Sequence, residues 1–197
     1  MKPINKRLAL IGLLLTAPAF AADESDIKVS DVIVSADFRP STAAETPVSL
    51  TEIDEETIES RGAQHLEEVL NLAPNVNISS GASRGQFFQI RGIGERSQFS
   101  APLNPSVGLV IDGIDFSRTG GAATLFDIDS IEILRGPQGT KFGTNALAGT
   151  INMRSKEPTK EFDMHAETGL AEYNSRNFGI AAGGTLVEDK LLGRASL

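Results

Sequence analysis

LRGPQGTKFGTNALAGTINM, residues 134–153, is the stretch on which the reading of this chain turns. Gly136, Gly139, Gly143 and Gly149 punctuate it, and Gly121 stands shortly before it. Glycine at this density supplies positive φ and lets backbones approach closely, so the stretch reads as strand, tight turn, compact loop and strand. The flanks agree. In 130–134 (SIEIL) and 150–154 (TINMR) the alternating Ile131, Ile133 and Ile151, Met153 each face one side of a sheet. A phosphate-binding loop is excluded by its own chemistry. That loop needs a lysine followed by Ser or Thr directly after the last glycine, whereas Lys141 here follows Thr140 and precedes Phe142.

Two further motifs lie upstream in order, QIRGIG at 89–94 and VGLVIDGI at 107–114. Together the three resemble the plug-domain signature of TonB-dependent outer-membrane receptors. The resemblance covers 29–197 and is strongest over 87–155.

The N-terminus points to the same compartment independently. Lys2, Lys6 and Arg7 form a basic segment, 8–17 (LALIGLLLTA) an apolar one, and Ala19-Phe20-Ala21 a small-residue cleavage site. An apolar run of about ten residues is too short to span a bilayer as a helix, which takes about 20. No other stretch approaches that length, as suits a protein exported to the outer membrane.

Composition removes several function classes. The formal net charge is −8 and no basic patch is visible, which argues against nucleic acid as a partner. Cysteine is absent, so disulfides and thiolate metal sites are excluded. His65 and His165 lie a hundred residues apart without carboxylates at ligand spacing, so no metal site and no cofactor is expected. No Ser, His, Asp constellation assembles, and no enzyme activity is expected.

Along the chain, 1–21 is read as signal peptide, 22–44 as a flexible arm, 45–157 as a plug and 158–197 as wall strands. Residues 29–36 (VSDVIVSA) place β-branched residues on an otherwise unpackable arm. Such a short apolar segment suits backbone pairing with the sheet edge of another protein, and it equally suits an ordinary first strand of the plug. A strand is expected over 47–53 and an acidic helix over 54–60 with Asp54 as its cap. A second helix is expected over 64–72, with Leu66, Val69, Leu70 and Ala73 on one face. Strands at 76–78, 86–91 and 106–111 follow, the last leading into the turn Asp112-Gly113. The fold class is therefore α+β, a small plug with a mixed sheet and short helices.

The last forty residues read differently. Phe162, Met164, Ala166, Thr168 and Leu170 alternate with polar or small residues, and after a turn at Asn174-Ser175 so do Phe178, Ile180, Ala182 and Leu186. Each run is close to the length of a tilted membrane strand, so these are the first antiparallel strands of a transmembrane β-barrel. Plugged transporters have roughly 22 strands, and an open remnant would expose unpaired backbone to lipid. The barrel is accordingly expected to be incomplete, whether as a fragment or as a truncated product.

The resemblance implies energy-coupled import of a scarce ligand at the cell outer membrane, with the plug gating the barrel and the arm in the periplasm. Asp31, Val32, Ile33, Val34 and Ser35 match the TonB box, which pairs with the TonB carboxy-terminal domain. Arg91 in IRG and Arg135 in LRG match arginines that latch the plug to barrel glutamates. Loops 95–105 and 116–121 match those facing the exterior, where Arg96, Gln98, Phe99, Phe116 and Arg118 suit an anionic or chelated ligand. An iron-siderophore complex is the favoured class, ahead of cobalamin, oligosaccharide and other chelates. The alternative is a periplasmic binding or signalling module with a plug-like fold and no transport of its own.

The leader reading carries the first testable outcome. Exported protein is expected to begin at Ala22, and intact-mass or N-terminal sequencing that finds Met1 retained contradicts the assignment.

Overall fold

Each segment expected from alternation contains a strand in the computed structural model, which describes residues 33–34, 41–42, 48–81, 84–97, 103–117, 123–188 and 190–197. Every described residue lies in one compact unit, Asp31–Leu197. At the N-terminal end of the described residues, β1 (Ile33–Val34) pairs antiparallel with β2 (Ser41–Thr42). Next come β3 (Ser49–Asp54), α1 (Glu55–Ser60), α2 (Leu66–Val69), β4 (Val76–Ser80), β5 (Gly85–Ile90) and β6 (Ile93–Gly94). They are followed by β7 (Val107–Ile111), β8 (Ile114–Asp115), β9 (Ile128–Arg135), α3 (Gly139–Phe142) and β10 (Gly149–Ser155). Three long strands close the chain: β11 (Asp163–Ala171), β12 (Ser175–Val187) and β13 (Leu191–Ser196).

The plug is organised by a five-stranded sheet in the order β3-β9-β10-β7-β8, in which only β10 and β7 run parallel. Period-2 alternation gives this sheet two distinct faces. Ile53, Ile131, Ile133, Ile151, Met153 and Leu109 point to one side and form a single core with Ile58 of α1, Leu66 and Val69 of α2, and Phe88 and Ile90 of β5. The expected inward set Ile131, Ile133, Ile151 and Met153 is completely buried, each side chain contributing about 1.5–3 kcal/mol. Gly149, at φ 155°, has no room for a side chain, because a Cβ there would strike the Leu134 carbonyl and Ile90.

Asp54 caps α1 as its sequence position suggests, accepting the Thr57 N–H at 2.9 Å, and these bonds from Thr57 hold its carboxyl below the usual range. The second helix is shorter than expected. Only Leu66–Val69 is α-helical, continued by a 3₁₀ turn at Leu70–Leu72. His65 instead forms an isolated antiparallel bridge with Thr124, flanked by the Leu125 N–H on the Gln64 carbonyl (3.0 Å) and the Leu66 N–H on that of Ala123 (3.3 Å). Tertiary pairing has overridden helical periodicity there. Conversely, the loop expected after Gly136 holds the four-residue α3, ended by Gly143 at φ 83°.

Strands β11, β12 and β13 form a separate antiparallel sheet that is not closed. Its apolar face is bare, with Phe162, Met164, Leu170, Phe178 and Leu186 all exposed. On the opposite face Gly179, Ala181 and Gly183 of β12 are buried, with the Phe126 ring in the space beside Gly179, while Asp163, His165 and Glu167 of β11 are exposed. The strands thus match a plug followed by part of a barrel wall, apolar side out. Among the described residues no helix is long and apolar enough to cross a membrane.

The second face of the plug sheet is polar in its middle. Glu52, Glu132 and Asn152 stand in one row across β3, β9 and β10, and Asn152 Nδ2 donates to Glu132 Oε2 at 3.0 Å. One Glu52 oxygen is buried without a hydrogen bond. Burial first, then repulsion from Glu132, Asp54 and Asp129, raises the Glu52 carboxyl above its ordinary value against the opposing pull of Arg154. A carboxyl whose pKa is raised on folding binds more protons in the native state, so its contribution to stability falls as pH rises above about 4.5, the unfolded value. Glu52→Gln is therefore expected to raise the urea midpoint at pH 7 and to leave it nearly unchanged at pH 4. Equal shifts at both pH values contradict a charge-based penalty.

Candidate functional site

The ends of the plug sheet differ, and the candidate functional residues gather at one of them. In the antiparallel pair β9 and β10, Arg135 faces Gly149, while Gly149 in turn faces Val107 at the start of β7. The loop after β6 returns to this end, closed by Glu95, whose Oε1 accepts from the Ser106 N–H (3.0 Å) and Oγ–H (2.9 Å). The segment after β8 runs back along β7 to the same end, with the Phe116 N–H on the Leu109 carbonyl at 2.8 Å. A third loop joins them: Thr144 Oγ1 lies 3.3 Å from Asn104 Oδ1, and Asn145 Nδ2 donates to Asp115 Oδ2 at 2.6 Å. Burial pushes the Asp115 carboxyl up, but hydrogen bonds from Ser117 and Asn145 outweigh it and hold it below the usual range.

Of the expected ligand-facing residues, Arg96 is exposed directly after Glu95 and Phe116 is half-buried at the base of its loop. Gln98, Phe99 and Arg118 lie outside the described residues. Glu95, Asp115 and Asn145, which tie the three loops together, were not singled out in the sequence. Their partners are 11 and 30 residues away, beyond any local motif.

Arg135 occupies the last position of β9 and reaches sideways over the edge strand. Its Nε donates to Ser49 Oγ (3.0 Å), Nη1 to Thr51 Oγ1 (2.7 Å) and to the Pro74 carbonyl (3.4 Å), and Nη2 to the Leu50 carbonyl (3.2 Å). Every acceptor is neutral. Among the described residues Arg135 forms no ion pair. Burial, then repulsion from Arg91, lowers its pKa from the ordinary value. Arg91 itself is exposed in the turn after β5 at φ 54°, its N–H held by the Asn75 carbonyl at 2.8 Å. Arg91 thus lies near enough to repel Arg135, and neither arginine forms an ion pair among the described residues.

Of the five residues expected to dock a partner strand, Ile33 and Val34 pair with Thr42 and Ser41. Asp31, Val32 and Ser35 lie outside the described residues. A two-stranded ribbon leaves each strand one edge for a further partner.

The family description "TonB-dependent Receptor Plug Domain" matches residues 42–150. The pesticin receptor of Yersinia pestis is 29% identical over 191 residues, covering 96% of this chain and 28% of that protein. The crystal structure of the ferric yersiniabactin uptake receptor FyuA from Yersinia pestis superposes with a TM-score of 0.68 at 26% identity, over 78% of this chain and 24% of that one. The ferripyoverdine receptor of the outer membrane of Pseudomonas aeruginosa, bound to ferripyoverdine, gives 0.67 at 25% identity, over 82% and 21%. The chain thus spans under a third of the length of these relatives.

The geometry of Arg135 makes a specific demand on its side chain. Four acceptors in three directions require the planar fork, which lysine lacks. Arg135→Lys and Arg135→Ala are both expected to weaken β3, each by about 1–2 kcal/mol. Faster hydrogen exchange at the β3 amides in both variants checks this, and unchanged protection in Arg135→Lys contradicts it.

Proposed function

This chain belongs to the TonB-dependent receptor family through its plug domain, and we propose that it carries out energy-coupled import of an iron-siderophore complex across the outer membrane. In this reading 22–44 is the periplasmic arm, 45–157 the plug and 158–197 the first strands of the wall. Supporting the ligand class are two similar proteins, a ferric yersiniabactin uptake receptor and a ferripyoverdine receptor. The observation that carries the reading on the structure itself is the convergence of three plug loops at the Arg135 end of the sheet.

Each element then has a task that its chemistry suits. Arg96 and Phe116, with Gln98, Phe99 and Arg118 on the same two loops, offer cationic, amide and aromatic groups to an anionic chelate. The arm strand Asp31, Val32, Ile33, Val34 and Ser35 offers an edge to the TonB carboxy-terminal domain, and main-chain pairing bears load with little demand on side-chain identity. Arg91 and Arg135 present paired positive charge to a wall carboxylate. Breaking such a pair when buried typically costs about 3–5 kcal/mol.

Import and coupling are tested together in a host lacking its own siderophore receptors. Cells making the protein in its native reading frame are expected to accumulate radioactive iron supplied as ferric yersiniabactin or ferripyoverdine, and no uptake of either removes the ligand class. Ile33→Pro deletes a backbone donor and is expected to abolish uptake and arm-peptide binding to TonB, with surface binding of the siderophore retained. Equal TonB binding by wild-type and Ile33→Pro peptides contradicts the docking role.

A further inference from the structure

Opposite the Arg135 end, the plug meets the wall strands through a charged contact of reversed polarity. Asp127 immediately precedes β9, in the left-handed region at φ 63°. Arg194 of β13 directs its fork onto it. Nε lies 3.0 and 2.9 Å from the two Asp127 oxygens, and Nη2 lies 2.6 Å from Oδ1. Nη1 turns the other way and donates to Asp163 Oδ2 of β11 at 2.8 Å. Both members of the central pair are enclosed, with 5% of the Arg194 side chain and 4% of the Asp127 side chain exposed, whereas Asp163 is half-open.

The wall sheet is shaped to permit this reach. Asp163, Gly183 and Arg194 stand in one cross-strand row over β11, β12 and β13. With glycine in the middle, the Arg194 chain lies flat across the row; a Cβ on Gly183 would sit 3.2 Å from Arg194 Cβ and Cγ and 3.3 Å from Nη1. Next along the same face, Gly179 receives the Phe126 ring, and Ala181 is fully buried. The sequence neighbours Phe126 and Asp127 therefore fill adjoining recesses of one wall surface, one apolar and one ionic.

We propose that Asp127, Arg194 and Asp163 form the anchor that docks the plug onto the first wall strands, with Gly183 as the slot for Arg194. The anchor adjoins the covalent link between the two bodies. Lys156, the first residue after β10, gives its N–H to the Asp127 carbonyl at 3.1 Å, and residues 156–162 lead directly into β11. Tether and anchor thus share one corner, so plug movement is confined to the Arg135 end. An enclosed, bidentate pair suits a role in register and orientation, because a shifted β13 loses both of its carboxylates at once.

The absence of cysteine permits a direct test in the full chain, since Ala181→Cys introduces a sole thiol beneath the docked plug. Ala73→Cys in the plug core serves as a separate report on folding. In detergent-solubilised protein a maleimide is expected to label the Ala181→Cys thiol slowly, and at least tenfold faster once Arg194→Ala is added. The Ala73→Cys thiol is expected to remain protected. Asp127→Asn, which neutralises the partner at nearly constant shape, is expected to reproduce the acceleration and keeps the test open if Arg194→Ala fails to fold. The proposal is overturned by rapid labelling of Ala181→Cys in the otherwise unaltered chain. It is equally overturned by labelling that neither charge change accelerates, or by equal acceleration at the Ala73→Cys thiol.

Discussion

Strand β9 is the constraint on which the rest of the plug depends. Both of its edges are paired, to β3 and β10, and both of its faces are covered, since Ile131, Glu132, Ile133 and Leu134 are all fully buried. A slip of one residue would exchange the isoleucines of the core for Glu132, so the register is tightly specified. With the register fixed, the ends are fixed too. Arg135 is delivered to Ser49 and Thr51 at one end, and Asp127 to Arg194 at the other.

Period and local chemistry made much of this legible. Alternation located β9, β10 and the wall strands, Asp54 announced the start of α1, and helical spacing identified Leu66, Val69, Leu70 and Ala73, all of which are buried. What could not be read were partners. Arg135 is 86 residues from Ser49, and Asp127 is 67 from Arg194; no local pattern encodes either pairing. The shortening of the second helix has the same origin, because the competing bridge between His65 and Thr124 joins segments that periodicity treats separately. Glycine was informative about space and silent about its occupant. Gly179 and Gly183 read as small residues on the polar side of a strand, whereas one admits Phe126 and the other Arg194.

The two ends of β9 are held by different physics, and the difference bears on how each can respond. Arg194 meets carboxylates on both sides, so its charge is balanced within the described structure. Arg135 meets only neutral oxygens and stands near Arg91, so positive charge accumulates there. An approaching carboxylate gains at the Arg135 end and has little to gain at the Arg194 end. Electrostatic sensitivity is therefore concentrated where the three plug loops converge.

The same asymmetry governs mechanical load. Ser49 is the first residue of β3, and among the described residues β3 is an edge strand paired with β9 alone. Its ladder runs from Ser49 opposite Arg135 to Asp54 opposite Ser130, so displacement entering from the N-terminal side of β3 meets the Arg135 end first. Three of the four acceptors of Arg135 belong to β3, and they resist together before the ladder opens. Beyond them lies α1, tied to the opposite corner through the ion pair of Glu55 with Lys156. Lys156 also bonds Asp127, which is held by Arg194, so a pull that frees β3 still leaves the plug joined to the wall at that corner.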